Sequence, residues 1–150
     1  MKRKRTIGRK DKADFPEFDL FDLDLKVDTG AYTSAIHCHH IEQGVKNGRK
    51  VINFRLLDPT HPQYEQQTYT TAEYQERVIK NSFGKSQRRY VITTQILLFG
   101  KLYPIELSLS QRGEMKNPVL LGRKILQGNF VVDVAKYDLS FKAKRASTKR

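Results

Sequence analysis

Across residues 21–28 the order Phe, Asp, Leu, Asp, Leu, Lys, Val, Asp alternates apolar and polar side chains with a period of two. Such a pattern belongs to a half-buried β-strand rather than to a helix, and it puts Phe21, Leu23, Leu25 and Val27 on one face and Asp28 on the other. Two residues on, Gly30 lets the backbone turn sharply, and the small Ala31 lets another segment come close. The Asp28 carboxylate is therefore displayed at a turn beside a second strand, which opens near Tyr32 and carries Thr33 and Ser34. On these residues alone an ordinary turn is the commoner reading, because Asp and Gly are turn residues and Thr suits a strand end.

The rest of the chain is also rich in strand patterns. A first short strand is expected over 6–9, another over 51–57, and a long hairpin or pair of irregular strands within the polar interval 63–89, with Gly84 near its tip. Residues 90–99 form the clearest strand, and Phe99-Gly100-Lys101 turns it into a partner over 102–110. Pro104 lacks an amide hydrogen, which places the start of that partner at a sheet edge. A polar loop over 111–117 leads to Val119-Leu120-Leu121, a break at Gly122, and a short helix over 123–127 ended by Gly128. Two last strands are expected over 130–134 and 137–141. A chain of 150 residues suits one domain with a single core, here mostly β, with a basic N-terminal arm (1–12), a body (13–141) and a basic C-terminal tail (142–150). The apolar content of 38% is modest and fits a core completed by a second subunit.

The net charge of +12 is concentrated at the two ends. Residues 1–12 carry seven Lys or Arg and one Asp, residues 142–150 carry five and no acid, and the body is nearly neutral. Solvated tails that give weak, salt-sensitive affinity for nucleic acid are the expectation, not a dedicated nucleic-acid site. The acidic run 13–24 reads as a loop and the solvent side of a strand. Within the body, Arg77, Lys80, Lys85, Arg88 and Arg89 form a basic cluster with no acid between them.

His37-Cys38-His39-His40 is the stretch that suggests metal. Neighbouring strand residues point to opposite faces, so two of the four converge at most, and His61 is the one histidine left to help. Zinc needs three or four ligands, so no metal and no cofactor is expected. A single cysteine excludes an intrachain disulfide framework. With no signal-like apolar run behind the basic start and no segment near the roughly twenty residues that span a bilayer, a cytoplasmic setting without membrane contact is expected.

Asp28-Thr29-Gly30-Ala31 and, some ninety residues later, Val119-Leu120-Leu121-Gly122-Arg123 together resemble the paired signatures of retropepsin-like aspartic proteases. Ile7-Gly8-Arg9, Lys26-Val27, Thr33-Ser34-Ala35-Ile36-His37 and Pro104-Ile105-Glu106-Leu107-Ser108-Leu109 extend the likeness to a bacterial branch often labelled ATP-dependent zinc proteases. Neither a phosphate-cradling Gly-rich loop nor His-Glu-x-x-His is present, so the aspartic signature outweighs that label. The resemblance implies a closed β-barrel of the acid-protease half type, one short C-terminal helix, and activity as a two-fold homodimer. It implies Asp28 as the catalytic acid and Thr29, Gly30, Ala31 and Ser34 as the active-site loop. Leu121, Gly122 and Arg123 are its support beneath, and the interval holding Arg77, Lys80, Lys85, Arg88 and Arg89 is the flap over substrate. An endopeptidase is implied, with acidic or glutamate-rich peptides as its substrates if the basic cluster meets them; a solvated hairpin accounts for the same cluster equally well. The competing readings are an inactive peptide- or nucleic-acid-binding module of the same fold, and a zinc hydrolase using residues 37–40.

Overall fold

The computed structural model describes residues 3–111 and 117–148, and its architecture is mostly β. Its strands are β1 (Arg5–Ile7), β2 (Lys10–Phe15), β3 (Leu20–Val27), β4 (Ser34–Lys46), β5 (Arg49–Leu56), β6 (Tyr69–Thr71), β7 (Gln75–Lys80), β8 (Ser86–Leu98), β9 (Lys101–Ser110), β10 (Val119–Leu121) and β11 (Phe130–Val132). Two helices complete it, α1 (Arg123–Leu126) and α2 (Leu139–Thr148).

Nine strands form one sheet whose order β10-β3-β2-β8-β9-β4 closes on itself, because β10 also pairs with β4. The sheet is thus ring-like around its core. β10 runs parallel to β3 on one side, with Leu121 opposite Val27, and antiparallel to β4 on the other, with Val119 opposite Ile36. The interior is filled by Leu23, Leu25, Ile36, Ile96, Leu98, Leu107 and Leu121, each fully buried. Closing the ring satisfies strand edges that would otherwise stand open. The 490 and 480 Å³ surface clefts on either side of Glu106 lie beside this core.

β7 and the first half of β8 form a hairpin that extends from the ring, with Arg77 paired to Arg89 and Lys80 to Ser86. Its tip is ordered by Asn81, whose side-chain oxygen accepts the N–H groups of Phe83 and Lys85 at 3.0 Å each. Leu98 faces Lys101 across the two-residue turn Phe99-Gly100, where both residues have positive φ, the twist a tight hairpin requires. Pro104 pairs only with Gln95 of β8, and β4 joins β9 from Leu107 onward, so the start of β9 is an edge.

Several expectations are corrected. Phe21 is 51% exposed and Leu20 takes its inward place. The cause is a bulge: Asp22 adopts φ +50 and its N–H donates to the Asp14 carboxylate at 2.7 Å, which slips the alternation by one residue. The strand expected over 137–141 does not form: Tyr137 and Asp138 lie outside any regular element and α2 begins at Leu139. Tyr137, Leu139 and Phe141 imitate a strand period, yet the buried Asp11 carboxylate accepts the N–H groups of Ser140 and Phe141 at 2.9 and 3.1 Å and starts a helix there. Burial raises the pKa of that carboxyl above its ordinary value.

The basic ends are knitted together rather than splayed. Residues 5–12 lie in β1 and β2 and the turn between them, and β1 pairs in parallel with β11. Lys144 reaches Asp14 at 3.0 Å and Asp22 at 2.8 Å, while Lys142 and Arg9 stand over the Tyr137 ring at 4.1 and 4.9 Å. Gly8 is required where it is, since a Cβ there would stand 2.2 Å from the Lys136 carbonyl oxygen. Most of the polar loop expected over 111–117 lies outside the described residues, as do positions 1, 2, 149 and 150. Among the described residues no helix is long and apolar enough to cross a membrane.

Candidate active site

β3 ends at Val27 and delivers Asp28 to a loop that the chain's distant C-terminal part holds from below. The Asp28 N–H donates to the Leu121 carbonyl at 2.9 Å, continuing the β3–β10 ladder by one residue. Ala31 and Tyr32 then turn their carbonyls to the Arg123 and Lys124 N–H groups at 2.8 and 2.9 Å, so the start of α1 is capped by the loop itself. Arg123 adds its guanidinium, donating from Nη1 to the Thr29 carbonyl at 2.8 Å. The Gly122 N–H donates to the buried Ser34 hydroxyl at 3.0 Å. A side chain at Gly122 has no room: a Cβ would come within 2.6 Å of the Tyr32 carbonyl oxygen. Its backbone is extended, so close approach and not left-handed geometry demands the glycine.

Asp28 itself is half-buried, with Thr29 and Gly30 exposed beside it. Its Oδ1 accepts the Gly30 N–H at 3.0 Å and its carbonyl accepts the Ala31 N–H at 3.2 Å, a compact turn that fixes the carboxylate. The hairpin tip rests on the same loop, close enough that a Cβ on Gly30 would lie 2.7 Å from Ser82 Cβ. Tip and loop enclose a cleft of about 280 Å³ that Asp28 and Ala31 line, together with Lys26, Lys80, Phe83 and Arg89.

The basic cluster of the hairpin is split by the structure. Lys80 and Arg89 line the Asp28 cleft. Lys85 is exposed at the tip, and Arg88 stands 3.5 Å from Glu76 on the other side. Arg77 is engaged elsewhere: both its Nη atoms grip the Glu106 carboxylate, at 3.0 and 2.6 Å, and Lys124 joins the same carboxylate. The Arg77 fork, then the Lys124 ammonium, hold the Glu106 carboxyl down to about 2. Glu106 therefore ties the root of the hairpin to α1, whose first residues hold the Asp28 loop. Sequence reasoning left Glu106 without a role. Its strand nonetheless alternates Glu106, Ser108 and Ser110 with the apolar Ile105, Leu107 and Leu109, which marks a polar face.

The histidine stretch disperses. His37 is buried, with Nε2 3.9 Å from Asp58 Oδ2, and burial pushes its pKa down. The Cys38 thiol donates to the Arg55 carbonyl at 3.1 Å and burial pushes it up to about 12. His39 meets the Tyr64 ring edge-on, and His40 sits at a bulge with positive φ, 3.2 Å from Glu42. Among the described residues no three His, Cys, Asp or Glu side chains converge in a metal-binding group.

Comparisons with known proteins agree with this frame. The crystal structure of Lpg0085 from Legionella pneumophila, a protein of unknown function, superposes with a TM-score of 0.72 at 24% identity, covering 92% of this chain and 99% of that one, and so shares the fold. A Desulfotalea psychrophila protein named "Probable alpha-L-glutamate ligase" is 34% identical over 136 residues, and one of the same name from Shewanella pealeana is 34% identical over 134. These cover 88% and 87% of this chain, which spans 28% of the length of either relative. The family model described as "RimB-like: Retropepsin-like aspartic endopeptidase RimB" matches residues 6–143. A displayed Asp-Thr-Gly turn, a Leu-Leu-Gly-Arg frame beneath it and that match over nearly the whole chain lead to one assignment: the chain belongs to the RimB-like family of retropepsin-like aspartic endopeptidases.

Proposed function

We propose that this chain is an aspartic endopeptidase whose catalytic unit is a homodimer, with Asp28 from each copy paired at the two-fold axis. Hydrolysis of a peptide bond by carboxylates needs two of them. One, ionised, takes a proton from the attacking water; the other, protonated, polarises the carbonyl and then protonates the leaving nitrogen. Two carboxyls about 3 Å apart share one proton because both cannot readily ionise together, as is general for aspartic proteases. A single chain supplies one Asp-Thr-Gly, and an isologous interface supplies the second. The observation that carries this reading is the Asp28 turn, held rigidly from beneath by Leu121, Gly122 and Arg123 while its outer side remains exposed. In the dimer, the Thr29 hydroxyl links the two loops across the axis.

The substrate class that fits is an acidic peptide. Lys26, Lys80 and Arg89 line the cleft, in which Asp28 is the one acidic side chain among the described residues, and cations recognise carboxylates strongly where water is partly excluded. The relatives named as glutamate ligases favour glutamate-rich chains as the natural material. Arg77, engaged by Glu106, serves the hairpin's position more than substrate contact.

Asp28→Asn tests the reading, since it removes the ionisable group at nearly constant volume. Hydrolysis of a glutamate-rich peptide is expected to fall at least about 10²- to 10⁴-fold, with the dimer intact by sedimentation. Unchanged hydrolysis rejects the aspartic mechanism. Absence of hydrolysis in the parent protein together with salt-sensitive RNA binding favours the binding-module alternative.

A further inference from the structure

Beneath the hairpin, the cleft that holds Asp28 has a floor made of Ser108 and Ser110. Both residues are 1% exposed, and neither hydroxyl has a hydrogen-bond partner among the described residues. Leaving a hydroxyl dry and unpaired costs about 1–3 kcal/mol, and replacing it by a methyl-sized group is near neutral. A fold that needed only small side chains there would use alanine, as β4 does opposite Ser108 at Ala35. The two serines alternate on one strand, so their hydroxyls share a face with a spacing of about 7 Å. A carboxylate between them can accept one hydrogen bond on each oxygen. Arg89 and Lys80 line the same cleft.

We infer that Ser108 and Ser110 form the bottom of a specificity subsite that receives the side-chain carboxylate of an acidic residue next to the scissile bond, with Arg89 and Lys80 closing over it. The inference rests on the endopeptidase reading for the identity of the ligand as a peptide. The two hydroxyls are closed to solvent and share their cleft with hairpin residues 79–83, so on this reading the hairpin shifts to admit the carboxylate, which then satisfies both. An amide side chain fits the same space but brings no charge to the cations and sets its own donors against theirs.

The test pairs two peptides that differ by a single Glu or Gln beside the scissile bond. The Ser108→Ala/Ser110→Ala double variant is expected to lower kcat/KM for the Glu peptide about tenfold more than for the Gln peptide, with a Tm no lower than that of the parent. Equal losses on both peptides, or a Tm several degrees lower with no change in the Glu-to-Gln ratio, assign the hydroxyls to the fold and overturn the subsite. Calorimetric binding of the same peptides, with the two serines intact or replaced in an Asp28→Asn background, separates this question from turnover. If the parent protein cleaves neither peptide, the endopeptidase reading falls. A Glu preference in binding that disappears with the two hydroxyls still upholds the subsite, and its absence rejects it.

Discussion

Glu106 shows how one side chain can organise a site without touching it. Its carboxylate binds Arg77 in the hairpin and Lys124 in the helix that supports the Asp28 loop. Its folded pKa, about 2, lies below the ordinary 4.5. The ion pairs therefore stabilise the fold fully above about pH 4.5 and lose that effect as the pH falls toward about 2. Glu106→Gln is expected to cost about 1–2 kcal/mol near neutral pH, after allowing for solvent screening of a partly exposed network. Urea unfolding should show the gap to the parent closing between about pH 4.5 and 2, and a gap that stays constant with pH contradicts the assignment. At this scale the sequence was informative where chemistry is local. Asp28 stands out because a turn restricts the residue type, and Gly122 as a break after an apolar strand, although the close approach of the Tyr32 carbonyl that demands glycine there is visible only in the structure. Phe21 misled, since the positive φ of Asp22 is set by a contact with Asp14, which no local pattern announces. Arg77 was legible as a cation but not as one already taken by Glu106, twenty-nine residues away.

Among the elements, β10 and α1 work as one brace, and Gly122 is the joint between them. Gly122→Ala places a methyl group 2.6 Å from the Tyr32 carbonyl oxygen, with the Ala31 carbonyl close by as well. The expected cost is about 1–3 kcal/mol, read as a lower urea midpoint, and a larger proportional loss of hydrolysis because the displaced loop carries Asp28. A variant as stable as the parent means that the loop yields easily and is not held as described. The long strands and the Phe99-Gly100 turn were readable from period and turn chemistry alone. The second helix was not: 137–141 alternates like a strand, and only the carboxylate of Asp11, more than a hundred residues earlier in the chain, decides that the backbone coils there. Likewise the anchoring of the exposed basic C-terminal stretch through Lys144 was hidden, because its partners, Asp14 and Asp22, are distant in sequence.

At the level of the molecule, the ring of strands with its extended hairpin displays a single Asp-Thr-Gly turn, and the proposed two-carboxylate mechanism requires a second copy to supply the other acid. The single Asp-Thr-Gly is legible in the sequence, whereas the enclosing cleft and its serine lining depend on how β3, β8, β9 and the hairpin come together. If Asp28 acts only opposite its counterpart, one copy carrying the Asp28→Asn change disables the whole dimer. The most direct measurement is the peptidase activity of equilibrated mixtures of parent and Asp28→Asn chains at constant total concentration. With free exchange of subunits, activity should follow the square of the parent fraction, so that an equal mixture retains about a quarter of the activity; a linear decline to about one half would show that each chain hydrolyses peptides on its own.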